Sequence, residues 1–231
     1  MGLDRSYFIR ISEDALIQLV LNGLEAYSVS HPGKKKAKTR VETYGLLWGH
    51  EINLPKNTGT LYSVELVSID TSAERERRSC TPNEKALEMK RDIMTSFWPH
   101  YDFLGDVHTH PHGNYMDVGN EEINFSLDDI KSLEEYCNDW KKHNYRVGLV
   151  LTIASMEKAG SRDSKYGPNN QIEFTLGKYR LWLKAYVALY EDGEKKSALK
   201  VSKHNEKNVF LDCPALAGIM TEFTPFEKGV I

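Results

Sequence analysis

The sequence predicts an α/β sandwich in which helices flank a mixed, mostly antiparallel β-sheet. The first observation is the order of segments, which runs strand, helix, strands, helix, strand, helix and strands. Such an order is typical of domains that pack helices on a sheet. The second observation is size, because 231 residues, 40% of them hydrophobic, suit one decorated domain with its own core.

Composition argues against several classes of protein. The 30 basic and 33 acidic residues give a net charge of −3, which provides no general attraction to nucleic acid or anionic membranes. Three widely spaced cysteines, Cys80, Cys137 and Cys213, argue against a disulfide framework and fit a reducing compartment. Residues 1–10 lack the apolar stretch of a signal peptide, and no run approaches the ~20 apolar residues of a membrane helix. We therefore expect a cytoplasmic protein that binds neither nucleic acid nor membranes.

The first part of the chain is predicted to contain strands at residues 7–11, 41–49 and 60–70. Ser12 is a suitable N-cap for a helix over residues 13–27, whose apolar residues fall on one face. Proline, asparagine and glycine separate the second strand from the third, which predicts a turn and a β-hairpin.

A second helix is predicted to begin at the capping box Thr-Pro-Asn-Glu of residues 81–84, with proline at the first helical position. Pro99 is predicted to end it. Its apolar stripe is predicted to face the core and consists of Ala86, Met89, Ile93 and Phe97.

The last part of the chain is predicted to contain a helix that opens at Ser126 and strands at 146–154, 171–176 and 179–190. A tight turn at Gly177-Lys178 joins the last two strands. The sequence is polar from residue 191 onward. We therefore divide the chain into a domain of residues 1–190 and a C-terminal extension of residues 191–231, which is expected to pack on or near the domain.

Two histidines lie two residues apart in the apolar stretch Gly-Asp-Val-His-Thr-His-Pro of residues 105–111. If this stretch is a strand, His108 and His110 point to the same face, because side chains alternate with period two. Pro111 is predicted to end the strand, since it has no N–H for the ladder. The pair could offer one cation two imidazoles.

Three further residues complete the residue pattern of a hydrolytic zinc site. Such sites keep three protein ligands and one open position for water, whose pKa falls from ~15.7 toward ~7. Asp129 is the favoured third ligand, in the first turn of the predicted helix. Glu42 stands at the start of a predicted buried strand. Burying a carboxylate costs free energy unless it has a partner or a catalytic role, so Glu42 is the candidate general base. Ser126 is the candidate donor to the oxygen of a tetrahedral intermediate.

On these residues the chain resembles the JAMM (MPN+) metalloprotease family. The resemblance consists of Glu42, the Gly-Leu-Leu-Trp-Gly of residues 45–49, the histidine stretch of 105–111, and Ser126-x-x-Asp129. With the flanking pattern of helices and strands it extends over residues 7–190. It implies an MPN fold, similar to that of cytidine deaminases.

The resemblance also implies a function. Members of the family are zinc isopeptidases or peptidases that cleave after the C-terminal tail of ubiquitin or ubiquitin-like proteins. By analogy, His108, His110 and Asp129 are zinc ligands, Glu42 the general base and Ser126 the oxyanion helper. The expected partners are a ubiquitin-like protein or its conjugates and enzymes of a bacterial or phage conjugation pathway. The alternatives are a catalytically silent scaffold and a metallopeptidase on small or cell-wall peptides.

One departure from the family leaves the third ligand open. Residues 112–125 separate Pro111 from Ser126, a longer gap than is usual in the family. If this loop is not a simple insertion, the acidic ligand is another residue in or after it, and the candidates are Asp117, Glu121, Glu122 and Asp128. His112, Asn114 and Trp48 are predicted to contact substrate, with core packing as the alternative for Trp48 and stray metal ligation as the alternative for His112.

Overall fold

The computed structural model describes residues 5–31, 38–135, 146–157, 165–166, 168–191, 198–200 and 207–219. Within these residues, nine strands form one sheet, and two further pairs form small hairpins. The strands are β1 Ser6–Ile11, β2 Tyr44–Asn53, β3 Gly59–Ile69, β4 Glu74–Arg75, β5 Cys80–Thr81, β6 Asp102–His112, β7 Val147–Ser155, β8 Lys165–Tyr166, β9 Gln171–Leu176, β10 Tyr179–Val187, β11 Leu189–Glu191, β12 Ala198–Lys200 and β13 Val209–Asp212. The helices are α1 Glu13–Ser28, α2 Glu84–Phe97, α3 Asn120–Ile123, α4 Leu127–Glu135 and α5 Pro214–Ile219.

The large sheet has the strand order β13-β1-β3-β2-β6-β7-β10-β9-β8. Five of its described pairings are antiparallel, and three are parallel, namely β13–β1, β1–β3 and β6–β7. The prediction of a mixed, mostly antiparallel sheet flanked by helices is therefore confirmed. No helix in the described part of the chain is both long and apolar enough to cross a membrane.

One face of the sheet packs against α1, and we call it the α1 face. Ser12 caps α1 as predicted, because its hydroxyl accepts a hydrogen bond from the Ala15 N–H at 3.2 Å. The helix approaches β7 closely at Gly23, where an added Cβ would lie 3.0 Å from Leu151 Cδ2. The main apolar core fills this interface and includes Leu19, Leu149, Leu181 and Leu183.

The opposite face, which we call the site face, is covered by α2 on one side and by the chain from residue 113 to α4 on the other. Leu87 and Met94 of α2 pack on Tyr44, Leu46 and Trp48 of β2. Strand β6 lies between the two coverings and presents its histidines there.

The C-terminal residues that the structure describes join the same sheet. Strand β13 pairs in parallel with β1, with Ile9 opposite Leu211. Val209, Leu211 and Cys213, together with Leu216 of α5, are buried in the core on the α1 face. Residues 209–219 thus pack on the domain as an edge strand and a short helix.

The structure corrects the predicted start and orientation of α2. Thr81 does not cap the helix, because it belongs to β5 and pairs with Glu74. The helix begins at Glu84, with Asn83 as its N-cap. The predicted stripe is also wrong, since Met89, Ile93 and Phe97 are 54%, 41% and 73% exposed, while Leu87 and Met94 are buried.

The prediction that Pro111 ends β6 is wrong. The strand continues to His112, and Pro111 lies opposite Ile153 of β7. The Thr109 N–H points away from β7, toward the residues that precede β2, and donates to Thr43 O at 3.1 Å. Pro111, two residues later, faces the same side, where the pairing with β2 ends at Tyr44 and His108. The missing N–H therefore breaks no ladder bond.

Candidate metal centre

His108 and His110 stand side by side on the site face of β6. They occupy alternate positions in the strand, and their Nε2 atoms are 3.1 Å apart. Gly105 fixes the strand close to β7, because it has φ 151° and an added Cβ would meet Val147 O at 1.8 Å. The two imidazoles therefore come from a rigid, buried strand.

Asp129 completes a cluster of three possible metal ligands. Its Oδ2 lies 3.4 Å from His108 Nε2 and 3.6 Å from His110 Nε2. The side chains of His108, His110 and Asp129 are 11%, 13% and 27% exposed, so the cluster has one side toward solvent. Within the described residues, this is the one group of three or more His, Cys, Asp or Glu side chains close enough to share a metal ion.

The three distances fit a small tetrahedral cation. Ligand atoms ~2.0–2.1 Å from a tetrahedral centre are separated by about 3.3–3.4 Å, which is the geometry of protein zinc sites. The observed separations of 3.1, 3.4 and 3.6 Å bracket that value. The three atoms are thus spaced like one face of such a tetrahedron.

Hydrogen bonds outside the cluster orient two of the three side chains. His110 Nδ1 lies 3.2 Å from the backbone oxygen of Glu122, which favours the tautomer with a proton on Nδ1 and a lone pair on Nε2. Asp129 Oδ2 accepts the N–H and the hydroxyl of Ser126, both at 2.7 Å. These contacts are of the kind that position ligands in metalloproteins.

The charges of the metal-free cluster support one another. Burial alone would lower the pKa of His108, but the Asp129 carboxylate, with smaller contributions from Asp106 and Glu42, raises it above its usual value. Burial likewise opposes ionisation of Asp129, yet the neighbouring His108 and His110 imidazoles and the hydrogen bonds from Ser126 hold its pKa well below the usual range. The Asp129 carboxylate thus favours positive charge at His108, and a bound metal cation would supply that charge in place of a proton.

Glu42 lies beside the cluster, in the chain that leads into β2. Its N–H donates to Glu76 O at 2.7 Å, which ties it to the β4–β5 hairpin. Burial raises the pKa of the Glu42 carboxyl to about 6, although electrostatic interactions with the nearby His110 and His108 act to lower it. A carboxyl with this pKa is suited to accept and return protons near neutral pH.

Ser126 is close to the cluster but is already engaged. Its hydroxyl donates to Asp129 Oδ2 at 2.7 Å and accepts the Asp129 N–H at 3.1 Å. The residue is exposed. In this arrangement Ser126 orients the Asp129 carboxylate, and a role toward an oxyanion requires its hydroxyl to turn away from Asp129.

The three residues predicted to contact substrate occupy different environments. His112 is half-buried at the end of β6, and burial together with the charge of His110 lowers its pKa. Asn114 shapes the following turn, because its Oδ1 accepts the Met116 N–H at 3.0 Å. Trp48 is only 1% exposed and packs on Phe103, so its assignment to substrate binding is wrong and the alternative of core packing holds.

The other acidic candidates lie outside the cluster. Asp117, Glu121, Glu122 and Asp128 do not join the group formed with the two histidines. The Glu122 carboxylate instead accepts the Gly119 N–H at 2.9 Å, and Asp128 pairs on the surface with Lys131. Asp129 is therefore the acidic residue that the structure brings to His108 and His110.

Sequence reasoning missed Thr152, Lys184 and Tyr186, which hold the chain next to the cluster. The Thr152 hydroxyl donates to Glu122 O at 3.2 Å, so this carbonyl serves both Thr152 and His110. Lys184 and Tyr186 bind Asn124 from β10. Their signal in the sequence is a polar residue at alternate positions of an otherwise apolar strand.

Comparison with models of known protein families and with curated protein sequences gave no match. The resemblance to the JAMM family therefore depends on the motif residues between 42 and 129 alone. The arrangement itself is that of a possible metal centre made of two imidazoles and one carboxylate.

Proposed function

We propose that this protein is a zinc-dependent peptidase of the JAMM type with an MPN fold. Its proposed substrate is a ubiquitin-like protein or a conjugate of one, cleaved after the C-terminal tail in deconjugation or precursor processing. The observation that carries the proposal is the near-tetrahedral spacing of His108 Nε2, His110 Nε2 and Asp129 Oδ2, at 3.1–3.6 Å.

The donor set agrees with the metal and with hydrolysis. Two imidazoles and one carboxylate, with a fourth side left open, are typical of catalytic zinc sites, whereas structural sites use four protein ligands. When bound, zinc polarises a carbonyl group and lowers the pKa of water toward about 7. His108, His110 and Asp129 would hold the ion from a buried strand and a helix terminus.

Glu42 is the proposed proton carrier. Its carboxyl has a pKa of about 6 and lies in the electric field of the cluster. It takes a proton from the attacking water and delivers it to the leaving amine, after which it is ionised for the next cycle. It does not belong to the three-ligand group, so metal binding and proton transfer are carried by different residues.

The substrate class rests on the resemblance over residues 42–129 and on the surface beside the site. Leu127 follows Ser126 directly, and its side chain is 69% exposed, so it is an apolar side chain that a substrate could contact. A flexible C-terminal tail can reach an open site of this kind more easily than a folded chain segment can.

The decisive experiment combines metal analysis with a cleavage assay. Protein purified without chelators is analysed for zinc and assayed on a ubiquitin-like fusion and on short peptides. We expect one equivalent of zinc, cleavage of the fusion, and a loss of ~10²–10⁴-fold in turnover for Glu42→Gln with zinc retained. The matched control Glu76→Gln changes a neighbouring glutamate whose side chain pairs with Lys38.

Each other outcome contradicts a specific part of the proposal. Near-normal turnover of Glu42→Gln would exclude Glu42 as the general base. Zinc far below one equivalent would favour a catalytically silent scaffold. Cleavage of short peptides in preference to the fusion would favour a metallopeptidase on small or cell-wall peptides.

A further inference from the structure

Three alternating side chains of β10 form a continuous row on the site face, which we call the docking strip: Trp182, Lys184 and Tyr186. Their neighbours Leu181, Leu183 and Ala185 face the core on the other side. In the register of the sheet, Lys184 lies opposite Val150, and Val150 lies opposite His108. The strip therefore runs beside the histidines, two strands away, at about 10 Å for a strand spacing of ~4.8 Å.

Each member of the strip holds a part of the chain between β6 and α4. The Trp182 ring stacks on Tyr115 with 5.9 Å between centroids and 4° between planes. The Lys184 ammonium donates to Asn124 Oδ1, and the Tyr186 hydroxyl donates to the same oxygen at 3.2 Å. The Tyr186 hydroxyl also accepts the Phe125 N–H at 3.0 Å.

Two of the three side chains of the docking strip are almost fully buried. Trp182 and Lys184 are 4% and 3% exposed. A buried ammonium is costly unless hydrogen bonds replace its hydration, so Lys184 strongly favours the position of Asn124 that satisfies it. Ordering a loop residue costs backbone entropy, and the strip supplies contacts that offset this cost at Tyr115, Asn124 and Phe125.

The strip connects to the metal centre through Phe125 and Ser126. The Phe125 ring lies against both Tyr186 and His108, at centroid distances of 4.2 and 5.4 Å. Ser126, the next residue, binds Asp129 Oδ2 through its N–H and hydroxyl. A shift of the chain at Asn124–Phe125 is therefore transmitted to the oxygen that faces the two histidines.

We propose that Lys184 and Tyr186 are positioning residues that place Asp129 in the metal centre. They bind Asn124 and Phe125 rather than the ligands, so they act through the chain that leads to Asp129. This inference rests on the proposed function, because it concerns the same metal centre. It gives a physical reason why the long segment between Pro111 and Ser126 is compatible with a preformed site.

The test compares two tyrosine hydroxyls of the same strand. Tyr186→Phe removes the hydroxyl that holds Asn124 and Phe125. The matched control Tyr179→Phe removes a hydroxyl bonded to Ser28 at 2.9 Å, at the other end of β10. Zinc affinity of the full-length protein is measured by competition with a chromophoric chelator. We expect Tyr186→Phe to lose about 10-fold in affinity, as substitutions outside the ligand shell commonly do, and Tyr179→Phe to match the wild type.

Two further measurements separate positioning from a general loss of stability. Cobalt(II) absorption reports the ligand geometry, and we expect altered bands for Tyr186→Phe and unaltered bands for Tyr179→Phe. In an Asp129→Asn background, Tyr186→Phe should have no further effect on affinity, because its route to the metal is gone. Lys184→Met, which keeps the buried stem, tests the same prediction independently.

The possible failures are distinguishable. If the wild type binds zinc and the two tyrosine variants bind it equally well, the positioning role is overturned and the proposed function stands. If the effect of Tyr186→Phe persists without Asp129, the route through Asp129 is wrong. If the wild type binds no metal at all, the proposed function and this inference are both overturned.

Discussion

The two faces of the large sheet are built on different physical principles. The α1 face is apolar and continuous, and α1 packs on it through residues such as Leu19 and Leu151. On the site face, buried polar groups such as Asp106, His108 and Lys184 are enclosed by chain segments held through hydrogen bonds. The α1 face is held by non-directional packing, whereas the site face combines the apolar packing of α2 with directional contacts around the histidines.

This difference indicates which face of the sheet contributes mainly to stability and which carries the candidate metal centre. Burial of apolar area stabilises the fold wherever shapes match, so the α1 face loses stability when a side chain is shortened, but few of its atoms need an exact position. The site face brings three possible metal-ligand atoms together, and a functional metal site needs its ligands placed to within about 0.5 Å. Substitutions on the two faces should therefore affect different measurements.

The largest expected effect on stability is on the α1 face. Leu151→Ala removes a fully buried side chain from the close contact with Gly23, and we expect a loss of ~2–5 kcal/mol in the free energy of unfolding. Denaturant unfolding of the metal-free protein measures it. Zinc affinity at temperatures where the variant is folded should stay unchanged.

Leu127→Ala is the same chemical change on the site face. Its side chain is 69% exposed, so we expect a change in unfolding free energy within ~0.5 kcal/mol. If Leu127→Ala proved as costly as Leu151→Ala, the contrast between the two faces would be wrong.

The next effect is on metal affinity and belongs to the site face. Asp129→Asn removes the anionic ligand whose oxygen lies 3.4 and 3.6 Å from the two imidazoles, and we expect a loss of at least ~100-fold in zinc affinity, more than for an outer-shell change. Isothermal titration with zinc measures it. The control Asp128→Asn alters the adjacent exposed carboxylate and should retain wild-type affinity, and a comparable loss there would contradict the assignment of Asp129.

Local sequence patterns predicted the structure correctly where residues close together in the chain determine it. The Ser12 cap of α1, the β2–β3 hairpin and the Gly177 turn all depend on residues close together in the chain, and the structure contains each of them. His108 and His110 share a face because strand periodicity requires it. These features needed no knowledge of distant partners.

Local patterns gave a wrong prediction, or none, where contacts with residues distant in the chain determine the structure. The Thr81–Glu84 capping box is overridden because the buried Asp70 carboxylate accepts the Asn83 N–H at 2.7 Å while Thr81 pairs in β5. The polar segment after Pro111 is ordered by Trp182, Lys184 and Tyr186, more than fifty residues later in the chain. No motif within that segment indicates these contacts, so the structure of the segment was not predictable from the sequence alone.

The smallest expected effect concerns the cost of keeping Glu42 on the site face. Its pKa is about 6 in the folded protein against a usual value of 4.5, so the folded state binds this proton more tightly than the unfolded state. Stability therefore falls as pH rises from about 4.5 to about 6, by at most about 2 kcal/mol, and stays lower above that range.

In metal-free protein, Glu42→Gln removes this penalty. We expect the variant to gain up to about 2 kcal/mol over the wild type at pH 7.5 relative to their difference at pH 4, measured by urea unfolding at both pH values. Glu88→Gln, on the exposed surface of α2, controls for the loss of one negative charge. With zinc bound the gain should shrink, because the cation favours the carboxylate form of Glu42. A gain that is the same with and without metal would mean that the Glu42 carboxylate does not sense the ion, and it would separate Glu42 from the chemistry of the site face.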